Sequence, residues 1–238
     1  MFRGAQRSVL VLALLGTWTW LAAAPARADR CAAILRRPVE LAVSGPGFTI
    51  PDTWRRRGLR YGTRGLVRLV ERVAKRMKRS FPGSTLQVAD LSMPNGAKTA
   101  WHRTHQSGRD VDLLFYAIGP DGQPAPPPAD MVRYGVTGRG EDGLRRFDSA
   151  RNWSLVRALI TEPAARVEKI YVAPWLERRL IDFARSRKVN AGIIARAAEV
   201  MAPPGRTVPP HDDHFHVRIA CPAGPPTTAE LGKRRRRR

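Results

Sequence analysis

The chain has 238 residues, 43% of them hydrophobic, and its 42 basic and 20 acidic side chains give a formal charge of +22 at pH 7. This length fits one ordinary domain with short appendages, and the apolar fraction excludes wholesale disorder. No apolar stretch after the N-terminus is long enough to cross a bilayer, which excludes a multi-pass membrane protein. Two cysteines are too few for a disulfide-rich scaffold or a four-cysteine zinc module. The charge predicts an anionic partner without identifying it.

Residues 1–28 have the pattern of a secretory signal peptide. Two arginines form a basic start, residues 9–24 are an apolar run, and Ala26-Arg27-Ala28 places small residues around a cleavage point. An uncleaved membrane anchor is the alternative, but the run is short for a span and Pro25 favours cleavage. We therefore expect the protein to be exported. Cleavage removes three arginines and no acid, so the formal charge falls from +22 to +19.

The two cysteines, Cys31 and Cys221, lie near the two ends of the mature chain. In an oxidising compartment we expect them to form a disulfide rather than to remain two buried free thiols. The closed loop would be long, which predicts a stabilising bond in the loop-entropy model. Residues 29–224 are expected to form the folded domain, and residues 225–238 a disordered tail that ends in the basic run Lys233–Arg238.

The first half of the mature chain predicts one helix and two strands. Residues 39–50 are interrupted by glycine and proline and predict an extended segment. Thr63 can cap a helix that runs to about Arg79, because its apolar residues recur at helical spacing. Residues 85–91 and 111–118 predict strands, the second fully buried, with a polar loop between them.

The second half predicts three helices and two strands. Asp148 can cap a helix that continues through Ile160, and residues 167–173 predict a third strand. Two short helices follow near residues 175–186 and 191–201, and residues 215–220 predict the last strand. Since strands and helices do not alternate strictly, the sequence predicts an α+β fold with a mostly antiparallel sheet.

All five histidines lie in two short windows. The first, residues 102–112, contains His102, His105, Asp110 and Asp112; the second, residues 211–216, contains His211, His214 and His216. Residues two apart on a strand point to the same face, so His214 and His216 share a face, as do the two aspartates. Gly108 lets the chain turn, so His105 can fold back beside Asp112.

This arrangement predicts a metal site. His105, Asp112 and His216 together offer two imidazoles and one carboxylate, the ligand types of a catalytic zinc ion that leaves its fourth position for water. The same ligand types suit a non-haem iron site, but no histidine follows His216 and export favours zinc. The alternative is that the histidines are capping or surface residues beside solvated acids. That alternative does not explain their confinement to two windows.

Residues 105–112 and 211–218 resemble the penicillin-insensitive murein endopeptidases, a branch of the LAS metallopeptidases. LAS enzymes share a His-x6-Asp element and a His-x-His element, which here are His105 to Asp112 and His214-Phe215-His216. The helix around Trp153 and the Cys221-Pro222 pair also look similar, and the resemblance covers roughly residues 58–222. It implies a LAS/hedgehog-type fold, a small antiparallel sheet flanked by helices, with the site in a groove.

The resemblance also implies a role for each histidine of the pattern. His105, Asp112 and His216 would hold one catalytic Zn²⁺ ion, His214 would be the catalytic histidine, and His211 a second active-site histidine that stabilises the oxyanion. The implied activity is hydrolysis of D-alanyl–meso-diaminopimelyl cross-links in periplasmic peptidoglycan. Such an enzyme needs no serine or cysteine nucleophile, so β-lactams should not acylate it.

Some members of this family carry a second metal near the first. His102 matches one ligand of that second site and Asp148 is a candidate for another, but no histidine near Asp148 completes the set. His102 can equally be a hydrogen-bond partner of a ligand. Asp110 is expected to orient a ligand histidine or to hydrogen-bond the loop backbone; the alternative is that it contacts a metal itself.

Three other functions remain open. A D-Ala-D-Ala carboxypeptidase of the same fold would differ in the length of its groove. A non-enzymatic protein that binds anionic envelope surfaces would explain the charge and the tail Lys233–Arg238 but not the histidine windows. A regulator of wall enzymes that has lost activity would not need His211 and His214. No nucleic-acid-binding motif is present, so no specific nucleic-acid partner is expected.

Overall fold

A computed structural model describes residues 34–202 and 210–221. The predicted signal peptide, Cys31 and the predicted tail at residues 225–238 lie outside the described residues, so these expectations stay predictions. Cys221 is disulfide-bonded, and its pairing with Cys31 likewise stays a prediction. In the described residues, no helix is both long enough and apolar enough to span a bilayer.

Five helices and eleven short strands form the described part of the chain. The helices are α1 (Asp52–Arg55), α2 (Arg64–Ser80), α3 (Ser149–Thr161), α4 (Pro174–Ser186) and α5 (Ala191–Val200). The strands are β1 (Val39–Glu40), β2 (Ser44–Gly45), β3 (Phe48–Thr49), β4 (Tyr61–Gly62), β5 (Leu86–Gln87), β6 (Asp110–Leu114), β7 (Ala117–Ile118), β8 (Arg146–Phe147), β9 (Val167–Tyr171), β10 (Met201–Ala202) and β11 (His214–Ile219). Small, mostly antiparallel sheets are flanked by helices, which confirms the predicted α+β class.

The predicted helices form where their caps and apolar spacing place them. Thr63 precedes α2, and its side chain accepts a hydrogen bond from the backbone N–H of Leu66. Asp148 caps α3 in the same way, accepting from the N–H of Arg151. Each cap satisfies a backbone donor that the first turn of a helix leaves without a partner. The short α1 was not predicted, and only Leu86–Gln87 of the expected strand 85–91 pairs as a strand.

The prediction of one continuous strand over residues 111–118 is wrong. The segment is divided between β6 and β7, which belong to different sheets. Between them, the N–H of Tyr116 donates to Asn152 Oδ1 at 2.9 Å, and Asn152 Nδ2 donates to the Tyr116 carbonyl at 2.8 Å. Because the buried amide of Asn152 takes both backbone groups of Tyr116, that residue cannot join a strand ladder.

The largest sheet has the strand order β10-β9-β11-β6. Strand β11 is antiparallel to both of its neighbours, whereas β10 is parallel to β9. Alternate residues of β11 point to opposite faces: Phe215, Val217 and Ile219 are buried in the hydrophobic core. His214 and His216 therefore lie together on the other face.

Helices cover the apolar side of this sheet. Helix α5 packs against β9 and β10, and α3 contacts α2, α4 and α5. The core between them includes Trp153, Leu155 and Leu159 of α3 together with the apolar residues of β11. This layer fixes the central strands, so the side chains on their other face are held on a rigid support.

Candidate metal centre

The centre is built on a row of residues that runs across three strands. His216 of β11 lies directly opposite Asp112 of β6 and, on its other side, opposite Tyr171 of β9. Two residues further along, Arg218 lies opposite Asp110. This register places the predicted carboxylate beside the predicted imidazole without help from any loop.

His105 reaches the same place from the loop before β6. Gly108 has a φ of +68°, and a Cβ there would lie 2.6 Å from the Leu35 side chain, so the turn needs glycine. The Gly108 carbonyl accepts from the N–H of Thr63 at 2.8 Å, which fastens the loop to the start of α2. His105 is 2% exposed. The polar loop therefore folds inward and buries one imidazole against the sheet.

The three predicted ligands converge on one point. The distance from His105 Nε2 to Asp112 Oδ1 is 3.5 Å, from His216 Nδ1 to Asp112 Oδ1 3.3 Å, and between the two nitrogens 3.4 Å. Bonds of about 2.0–2.1 Å to a tetrahedral zinc ion require donors about 3.4 Å apart. Both carboxylate oxygens of Asp112 are buried and have no hydrogen-bond partner. This donor set therefore fits a zinc-sized cation.

Partners on the far side of each imidazole orient its donor nitrogen. His105 Nδ1 lies 2.7 Å from the Leu91 carbonyl, and His216 Nε2 lies 2.9 Å from Asp110 Oδ1. Because these partners are acceptors, each of these two nitrogens carries the proton, and the lone pairs of His105 Nε2 and His216 Nδ1 face Asp112. Asp110 is itself held by Arg218, whose Nε and Nη2 donate at 2.7 and 3.0 Å.

The electrostatics of the cluster keep the central carboxylate charged. Burial raises the pKa of Asp112, but His105 and His214, when protonated in the absence of an ion, more than offset this and hold the pKa well below the usual range. Burial also lowers the pKa of His214, while Asp112 and Asp213 raise it to about 10. Asp112 is therefore an anionic oxygen donor that several imidazoles surround.

The two predicted catalytic histidines lie beside the donors. His214 Nδ1 contacts Asp213 Oδ1 at 2.6 Å, and its Nε2 lies 3.4 Å from Asp112 Oδ1. The ring of His211 lies 5.0 Å from that of His214 and 5.5 Å from that of His216. The metal-binding atoms of these three histidines also lie within 4.8 Å of one another. The structure therefore brings both windows together in one cluster.

His102 belongs to the cluster through a partner that the sequence did not reveal. Its ring stacks on His105 at 3.9 Å, and its Nε2 lies 2.8 Å from Asp90 Oδ2. The same carboxylate oxygen accepts from Arg57 Nη1 at 2.7 Å. Asp90 is completely buried. A lone aspartate at the end of a predicted strand carries no signal of such a role, because its partners come from distant parts of the chain.

Asp148, the other candidate for a second metal, is not brought to this cluster. Its carboxylate caps α3 and pairs with the guanidinium of Arg151. Arg151 in turn donates to the Ala117 carbonyl at 3.0 Å. His102, His105 and Asp112 do form a group of donors within 4.8 Å of one another. Any second ion would therefore have to use residues other than Asp148.

The cluster opens into a cleft of about 630 Å³. Its walls include Tyr171 of β9 and the loop residues Trp101, Arg103, Met131 and Arg133. One side of the donors is thus open to a ligand, while the sheet buries the other. A small buried donor set at the base of a concave cleft is the arrangement of a site that binds and transforms a substrate.

Known proteins resemble the chain over most of its length. The model of the family described as penicillin-insensitive murein endopeptidase matches residues 30–233. A penicillin-insensitive murein endopeptidase of Klebsiella pneumoniae is 28% identical over 192 residues, which cover 77% of this chain and 62% of the relative. One of Haemophilus influenzae is 28% identical over 172 residues, 68% of this chain and 52% of the relative. The chain thus spans only about half to three fifths of these relatives. On the extent of the family match, the chain belongs to the penicillin-insensitive murein endopeptidase family.

Proposed function

We propose that this protein is a zinc-dependent murein DD-endopeptidase that hydrolyses D-alanyl–meso-diaminopimelyl cross-links of peptidoglycan. The observation that carries the proposal is the triangle of His105 Nε2, Asp112 Oδ1 and His216 Nδ1, with sides of 3.3–3.5 Å. Membership of the family supplies the substrate class. Export by residues 1–28 would bring the enzyme to this substrate in the periplasm.

Each residue of the cluster has a defined task in this proposal. His105, Asp112 and His216 would hold the zinc ion, which when bound polarises the scissile carbonyl and makes water a nucleophile near neutral pH. Without the ion, Asp112 and Asp213 keep His214 protonated. Because a zinc ion bound to Asp112 would offset that carboxylate's charge, His214 would then be able to accept the water proton at Nε2 and return it to the leaving amine. Asp213, 2.6 Å from His214 Nδ1, holds the ring in the orientation that this transfer needs. His211 donates a hydrogen bond to the oxyanion as charge develops on it.

This chemistry uses no covalent protein intermediate. The one cysteine within residues 34–202 and 210–221 is Cys221, which is disulfide-bonded and is not a nucleophile. β-Lactams inactivate wall enzymes by acylating a serine or cysteine nucleophile. The proposed mechanism therefore predicts an enzyme that remains active in the presence of penicillin.

The proposal is tested by muropeptide analysis of cross-linked peptidoglycan after incubation with the protein. Three samples are compared: the zinc-loaded protein, the chelator-treated protein and His216→Ala, with Arg68→Ala as a control on the exposed face of α2. Conversion of dimers to monomers by the first and the control, and its loss in the other two, is the expected result. Trimming of free pentapeptide ends alone would assign a carboxypeptidase instead. No turnover by folded, zinc-loaded protein would refute the enzyme.

A further inference from the structure

Four arginines line the cleft, and three of them are already paired with acids. Arg57 binds Asp90 at 2.7 Å and Arg218 binds Asp110 at 2.7 Å. Arg133 lies 3.6 Å from Asp212. A neighbouring carboxylate partly offsets the charge of a guanidinium and occupies some of its donors, so a paired arginine attracts a further anion less strongly. Arg109 contacts Glu168 and the Ile219 carbonyl and does not line the cleft.

Arg103 is the fourth arginine, and its charge is available. Its side chain is exposed at the cleft wall, and it forms no ion pair with an acid among the residues that the structure describes. An unpaired guanidinium in a concave site attracts anions, and its planar pair of donors matches a carboxylate. The ligand suited to this part of the wall is therefore a carboxylate-bearing molecule.

Neighbouring contacts hold this part of the wall in place. Arg103 directly follows His102, whose ring is fixed between Asp90 and the stacked His105. The N–H of His102 donates to Thr99 Oγ1 at 3.1 Å, and Gln106 Nε2 donates to the Arg103 carbonyl at 3.0 Å. A loop tied down at both ends offers its side chains to a ligand at a smaller entropic cost than a free loop does.

Trp101 adds an apolar surface beside the unpaired charge. It is 56% exposed and lines the cleft, and the guanidinium of Arg57 lies 5.1 Å from its ring. Arg57 is fixed in turn by Asp90. Since one face of the ring already meets a cation, a positively charged ligand is disfavoured there. A planar peptide group next to a carboxylate is suited to both side chains.

We infer that Trp101 and Arg103 form a binding subsite for the stem peptide, in which Arg103 binds a free carboxylate and Trp101 packs on the adjoining peptide group. The inference rests on the proposed function, because it takes the ligand to be a peptide of murein. It makes the enzyme selective for stems with free carboxylates over stems whose carboxylates are amidated.

The test compares two cross-linked muropeptide dimers that differ only in whether the stem carboxylates are free or amidated. Arg103→Ala should lower kcat/KM about tenfold to a hundredfold for the free-carboxylate dimer, the expected effect of losing a charged hydrogen bond. The loss should shrink to about threefold or less for the amidated dimer. Arg68→Ala, which removes an exposed arginine outside the cleft, is the matched control. Equal losses on the two dimers, or no loss on either, would overturn the inference.

A binding measurement separates this inference from the proposed function. Isothermal titration of wild type and Arg103→Ala with a monomeric stem peptide, carboxylated or amidated, needs no turnover. If wild type binds the carboxylated peptide more tightly and Arg103→Ala does not discriminate, the subsite stands even where no cross-link is cleaved. If cross-links are cleaved but neither protein discriminates, the subsite is refuted and the enzyme is not. Trp101→Phe should retain most of the affinity that Trp101→Ala loses.

Discussion

Each imidazole donor of the cluster is oriented by one acceptor on its far side. For His105 that acceptor is the backbone carbonyl of Leu91, and for His216 it is the carboxylate of Asp110. Only the Asp110 carboxylate is a side-chain group, so it is the one of these two acceptors that a mutation can remove. Asp110 also forms an ion pair with Arg218, so it connects His216 to a residue that lines the cleft.

Asp110→Asn should weaken zinc binding by about tenfold to a hundredfold, the usual consequence of losing an orienting partner of a histidine ligand. Asp112→Ala removes a donor itself and should lower the affinity further. Both can be measured by competition with a chromogenic chelator at constant pH. An Asp110→Asn affinity within threefold of wild type would show that Asp110 does not orient His216 for metal.

At the scale of the elements, two-residue periodicity explains why much of the site could be predicted. Core residues alternate along β6 with Asp110 and Asp112, and along β11 with His214 and His216. The two aspartates therefore share one face of β6, and the two histidines share one face of β11. Antiparallel pairing then sets His216 opposite Asp112. The turn at Gly108 supplies the remaining donor, His105.

The partners from distant parts of the chain could not be predicted. Asp90, Arg57 and Tyr171 enter the site through tertiary packing, and none of them belongs to a pattern of its own. The break between β6 and β7 was missed for the same reason, since it depends on the amide of Asn152 in a helix that begins more than thirty residues later. Periodicity reports which face a residue occupies, and it does not report what lies against that face.

Asp148 has a structural role in this account, which a stability measurement can test. Asp148→Ala should reduce the free energy of unfolding by about 3–5 kcal/mol, because it leaves the buried Arg151 guanidinium without its counter-charge and α3 without its cap. The exposed pair Asp182–Arg185 has the same spacing, and Asp182→Ala should cost less than about 1 kcal/mol. Urea denaturation measures both.

Zinc content gives the second readout for Asp148. We expect Asp148→Ala, under conditions in which it is folded, to bind as much zinc per chain as wild type. A loss of bound zinc together with full stability would contradict the structural role and restore Asp148 as a metal ligand.

At the scale of the whole molecule, the formal charge determines how strongly the protein is attracted to anionic polymers. This charge is +22 for the full chain and +19 after removal of the predicted signal peptide. Murein stems carry carboxylates, so long-range attraction should concentrate the protein on the polymer that the proposed function takes as its substrate. Exposed charges interact over about 10 Å at 0.1 M salt, and this range shrinks as salt increases. In the proposed function the charge and the cleft therefore have separate tasks: the charge would concentrate the protein on the polymer, and the cleft would select the bond.

Binding to isolated murein sacculi should fall by about an order of magnitude between 50 and 300 mM NaCl, because screening weakens this attraction. Co-sedimentation of His216→Ala, which avoids digestion of the polymer, measures the effect. A variant that lacks Lys233–Arg238 should bind less at 50 mM NaCl and depend less on salt. Binding that does not change with salt would refute an electrostatic contribution.

Zinc binding by His105, Asp112 and His216 can be observed directly by anomalous diffraction at the zinc edge from crystals of the zinc-loaded protein. We expect a strong peak within bonding distance of His105 Nε2, Asp112 Oδ1 and His216 Nδ1, and the loss of that peak in His216→Ala. A peak beside other residues, or no peak in protein that binds zinc in solution, would refute the assignment of these three residues as the zinc ligands.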